Sequence, residues 1–73
     1  MTVEEARECL REVLQELTND EYPLVWIGEV VKETPEEYFI EGNICNEETM
    51  SSMLIRAFAV HKTRRDVRMV LLP

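Results

Sequence analysis

Residues able to do chemistry are few in this chain and stand far apart. His61 is the only histidine, and it heads the run "HKTRRDVR". A general base needs a positioned nucleophile or an orienting carboxylate. Beside His61 the sequence sets Lys62, Arg64 and Arg65 instead, so His61 reads as a cation at the end of an element or at the edge of the core. The two cysteines are Cys9 and Cys45. A reactive thiol wants a basic neighbour to lower its pKa, but Cys9 lies between Glu8 and Glu12. Both cysteines read as small hydrophobes with free thiols, because a disulfide-stapled secreted domain of this size carries more of them.

The other chemistries lack their residues as well. One histidine and two distant cysteines give no zinc spacing. Glutamate pairs at 4–5, 36–37 and 47–48 fall at element starts and in a turn, where they are solvated rather than paired for acid–base work. Gly28 and Gly42 are the only glycines, so there is no phosphate-cradling loop. The expectation is a protein that is not an enzyme, with no catalytic residues, no cofactor and no metal.

Charge is the stronger signal. Residues 1–53 hold fourteen acids against three bases, and residues 54–73 hold five bases against Asp66 alone, for a net charge of −7. Two candidate surfaces follow. Glu4, Glu8, Glu12 and Glu16 recur at helical spacing and could steer the molecule onto a basic patch of another protein. Lys62, Arg64, Arg65 and Arg68 could neutralise phosphates, although a pI of about 4.6 opposes nucleic-acid binding. A third reading joins the two surfaces in a homodimer, the acidic helix of one copy meeting the basic end of the other.

The elements that must position these residues begin with a helix over about Val3–Leu17. Thr2 and Glu5 have the form of a capping box. Val3, Ala6, Leu10, Val13, Leu14 and Leu17 form one apolar stripe of about 100°. "TND" and Pro23 end the helix. Leu24–Glu33 is rich in Val, Ile and Trp and reads as a strand, with Gly28 marking a bulge or a close backbone approach. "ETPEE" is a turn. Tyr38–Cys45 is the second strand, with Tyr38, Ile40 and Ile44 on one face and Phe39, Glu41, Asn43 and Cys45 on the other.

Residues 47–61 decide the fold. Met50, Met53, Leu54, Ala57, Phe58 and His61 follow helical spacing, with Asn46 as N-cap and Glu47 and Glu48 in a first turn that suits the helix dipole. A hairpin at "KTRRD" would lack the Gly, Asn or Pro that tight turns use. The stretch is therefore predicted to be a second helix, leaving Val67–Leu72 as the last strand. The order becomes α-β-β-α-β, an α+β domain over residues 1–73. Its three-stranded, mostly antiparallel sheet is covered on one face by two helices, with one right-handed helical crossover. Read as strands, the same stretch gives α-β-β-β-β, one helix on a four-stranded antiparallel sheet. In either case Trp26, Val30 and other apolar positions outnumber what the helices can cover. A partner, a second copy or water must meet the remainder.

The α-β-β-α-β order resembles the KH class of nucleic-acid modules in outline, which would imply nucleic-acid binding. Its loop motif of two glycines flanking two residues is missing here. Size, acidity and the lack of a catalytic set are similar in kind to small phage-encoded inhibitors and bacterial immunity proteins. Composition is globular, 45% hydrophobic and 32% charged. No apolar run is long enough for a signal peptide or a membrane span. The reading that follows is a small cytoplasmic protein that binds another protein, an inhibitor, immunity or regulatory domain, and does not bind membrane.

Overall fold

The computed structural model describes residues 1–53 and 56–70. Helix α1 runs over Val3–Leu17. Its start is the capping box read from the sequence: the Glu5 N–H donates to Thr2 Oγ1 at 3.1 Å, and the Thr2 N–H donates to Glu5 Oε1 at 3.0 Å. At the other end the Thr18 hydroxyl donates to the Gln15 carbonyl at 2.7 Å. Asn19 Oδ1 then accepts the N–H groups of Glu21 and Tyr22, both at 2.9 Å, turning the chain toward the sheet.

Strand β1 spans Leu24–Glu33 and β2 spans Glu37–Asn46, paired antiparallel. Thr34 shapes the connection, its hydroxyl oxygen accepting from the Glu37 N–H at 3.0 Å. The register slips between Ile27 and Val30 and again between Val30 and Lys32, so β1 bulges beside Gly28 as expected.

Beyond β2 the structure corrects the predicted order. The described part of 47–61 contains no second helix. Ser51–Ser52 forms a short strand, β3, and Arg56–His61 forms β4, both antiparallel to β2. β5 is Val67–Val70; the expected extension to Leu72 lies outside the described residues, as does Leu54. The sheet order is β1-β2-β4-β5 with β3 also on β2. Among the described residues every pairing is antiparallel, there is no helical crossover, and a single helix covers the sheet. This is the α-β-β-β-β alternative with a short added strand.

The physical reasons are local. Asn46 does cap, but its Oδ1 accepts the N–H groups of Glu48 and Thr49 to close a turn rather than to start a helix. Met50 leaves that turn with φ of 57° and 89% of its surface exposed, so it is not a core position. The tight β4–β5 connection forms without glycine. The His61 N–H donates to the Asp66 carbonyl at 2.8 Å, the Arg65 N–H donates to the His61 carbonyl at 3.0 Å, and Arg65 takes the left-handed φ of 62°. The His61 ring supplies the turn's missing acceptor, Nδ1 taking the Arg64 N–H at 3.1 Å.

The core lies between α1 and one sheet face. Ala6, Leu10 and Leu14 of the helix meet Tyr38, Ile40 and Ile44 of β2 and Phe58 and Val60 of β4. Gly42 lets the helix approach, since a Cβ there would stand 3.0 Å from a Leu14 methyl and 3.2 Å from a Leu10 methyl. Burying each large apolar side chain stabilises by about 1.5–3 kcal/mol, so these residues tie the helix to the sheet. No helix among the described residues is long and apolar enough to cross a membrane.

Candidate functional site

Helix α1 packs its apolar stripe on the sheet and turns its glutamates outward. Glu4, Glu8, Glu12 and Glu16 are all exposed. Glu8 meets Arg11 at 3.4 Å, one turn along, and both side chains are largely solvated. Such a pair adds little to stability. Glu4, Glu12 and Glu16 have no basic partner among the described residues. Glu4, Glu5, Glu8, Cys9, Glu12 and Arg65 line a shallow depression of about 260 Å³ on this side.

The basic candidates are not brought together. Lys62 reaches Glu33 at 2.6 Å and lies over the Tyr38 ring, 4.6 Å from its centre. Arg64 pairs with Asp66 at 3.1 Å within the turn. Arg65 crosses to Glu5 on the helix at 3.1 Å. Arg68 lies on the opposite sheet face, donating through two nitrogens to Glu37 at 3.1 and 3.3 Å. The alternation of β4 and β5, together with the turn between them, points adjacent residues in different directions. Each of the four cations carries its own carboxylate.

Among the described residues, Glu5 is the one group whose ionisation is clearly shifted. The Thr2 backbone N–H and then the Thr2 side chain hold its carboxyl below the ordinary glutamate value against desolvation, with lesser help from the nearby Arg65 and the amino terminus. This is the electrostatics of a helix cap rather than of a catalytic acid. Cys9 and Cys45 are free thiols, half-buried on different elements. Among the described residues, no three His, Cys, Asp or Glu side chains are grouped to hold a metal.

The sheet face away from the helix carries part of the apolar surface that the helices were expected to leave uncovered. Trp26 pairs with Asn43 and projects there, 44% exposed. Its ring lies across Gly28, where a Cβ would come within 2.6 Å of the indole. Lys32 and Arg68 both stand over the Phe39 ring, at 5.5 and 6.0 Å. Ala57 and Ala59 are fully covered on this face by taller neighbours. The apolar run Leu24–Ile27, with Gly28 after it, was the available signal for this face.

No protein-family model, curated protein or solved structure matches this chain.

Proposed function

We propose that this is a cytoplasmic, non-catalytic binding domain that presents the acidic outer face of α1 to a basic surface of another protein, as an inhibitor, immunity or regulatory protein would. One observation carries the reading: the two charge clusters differ in how far the fold neutralises them. Lys62, Arg64, Arg65 and Arg68 are each engaged by a carboxylate of the same chain. Glu4, Glu12 and Glu16 are exposed and unmatched among the described residues. Unmatched like charges on one rigid face project a field that attracts an opposite surface. The same observation weakens the nucleic-acid reading, because phosphate contacts would have to displace four ion pairs. It weakens the charge-swapped homodimer too, since Arg65 already meets Glu5 within one copy.

Two double variants test the proposal. Glu8→Lys with Glu12→Lys should abolish capture of a basic protein partner from the native host extract, and wild-type capture should weaken as salt rises, with screening acting over about 8 Å near 0.15 M. Arg64→Glu with Arg65→Glu should leave capture largely intact. Full retention of the partner by the Glu8/Glu12 variant overturns the proposal. So does tight, steeply salt-dependent RNA binding that is lost in the Arg64/Arg65 variant.

A further inference from the structure

Strand β1 is the longest free edge of the sheet: it pairs with β2 on one side and with no described strand on the other. Backbone geometry fixes which of its groups face outward. In an antiparallel pair, the N–H and C=O of one residue point to the same side and alternate along the strand. The Ile44 carbonyl accepts from the Met53 N–H at 3.2 Å, on the β3 side. The Glu37 carbonyl accepts from the Thr34 N–H at 2.9 Å, on the β1 side. Both facts give one alternation, in which Asn43 and Cys45 bond to β1 while Gly42 and Ile44 bond away from it. Val25 and Ile27 stand opposite Ile44 and Gly42, so their backbone groups point out of the free edge.

The geometry points to self-association: two copies join through β1, antiparallel about a twofold axis at Trp26. In that register Val25 of each copy faces Ile27 of the other, and their outward groups exchange four hydrogen bonds. Trp26 then faces Trp26 as a close pair without backbone hydrogen bonds, the arrangement in which cross-strand side chains lie nearest. Leu24, which is 40% exposed, faces Gly28, the one residue of the strand without a side chain.

Charge selects this register. Leu24–Gly28 carries no ionisable residue, in a chain of net charge −7 whose copies otherwise repel. Pro23, lacking an N–H, closes the pairing at one end, and the bulge before Val30 closes it at the other. Lys32 has no carboxylate partner among the described residues, and it approaches the acidic Asp20–Glu21 end of the other copy. Edge strands are usually guarded by charge or bulges. Here those guards occupy only the second half of β1. This association is independent of the acidic-face reading, because α1 lies on the sheet and its glutamates stay outside the pairing.

Sedimentation equilibrium across about 10 µM to 1 mM tests it, with the emission of Trp26, the only tryptophan, as a second signal. The wild-type chain should reach twice the monomer mass, with emission moving to shorter wavelength as it does. Val25→Pro removes one outward N–H without touching a β1–β2 bond, and should weaken the dimer at least tenfold. Trp26→Lys, at an exposed position, should do the same by setting two cations at the axis, while circular dichroism shows an unchanged fold. A wild-type chain that stays monomeric throughout overturns the inference, including one that accepts only a different protein's strand at this edge. A dimer indifferent to Trp26→Lys overturns it as well.

Discussion

Glu5 serves two distant parts of the chain at once. Its carboxylate closes the helix cap with Thr2 and receives Arg65 from the last hairpin. Because its pKa is lower folded than unfolded, its contribution to stability is present above the ordinary glutamate value and is lost as pH falls through the folded one. Glu5→Gln keeps a capping side chain and removes the charge. Thermal unfolding of that variant should therefore show lower stability than wild type at pH 7, with the difference shrinking as pH falls from 5 toward 3. Thr2→Ala, which removes the acceptor itself, should cost about 1 kcal/mol at neutral pH. His61 is the other residue with a positional role. Nδ1 accepts the Thr63 and Arg64 N–H groups at 3.3 and 3.1 Å. In His61→Ala, hydrogen exchange at those two amides should be faster than in wild type, with core amides unchanged.

Among the elements, those whose sequence signals were local were legible. The capping box, the apolar stripe of α1, the alternation of β2 and the bulge at Gly28 were all readable, because each depends on neighbours within a few residues. Residues 47–61 were misread for the same reason in reverse. Met50, Ala57, Phe58 and His61 have helical spacing by coincidence, while the pairing of Phe58 with Ile40 and Val60 with Tyr38 depends on a strand far back in the chain. The hairpin that should have signalled β4–β5 hides its turn. A histidine ring and a left-handed arginine stand where Gly, Asn or Pro would announce one. The acidic residues were placed correctly on one exposed face, but the dispersal of the four basic residues could not be read without that turn. The two glycines give a further test. Gly42→Ala would press a methyl against Leu14 and Leu10 in the core and should cost about 1–3 kcal/mol. Gly28→Ala meets the end of an exposed indole that can swing aside, so it should leave the melting temperature nearly unchanged and alter Trp26 emission.

At the scale of the whole molecule, the layers are unequal. One sheet face is sealed by α1, and the other carries an incomplete cover of Trp26, Phe39 and the alanines of β4. Replacing Phe58, which faces the helix, with Ala should therefore destabilise by about 3–5 kcal/mol in denaturant unfolding. Trp26→Ala, on the open face, should cost much less than Phe58→Ala in the same measurement made at low protein concentration. Equal losses would mean that the open face is packed in the monomer.

The seat of α1 also has a consequence in time. Its stripe of Ala6, Leu10 and Leu14 rests on β2 and on Phe58 and Val60 of β4, so the helix is completed by a strand that leaves the ribosome well after it. At about 5–20 residues per second on the ribosome, the helix waits several seconds before β4 exists. The hairpin of β1 and β2 can form meanwhile from contacts close in the chain, but half the floor beneath the helix is still missing. A nascent chain stopped short of residue 56 should therefore hold a formed hairpin and an undocked helix, and its apolar stripe should be open to a chaperone until β4 and β5 are released.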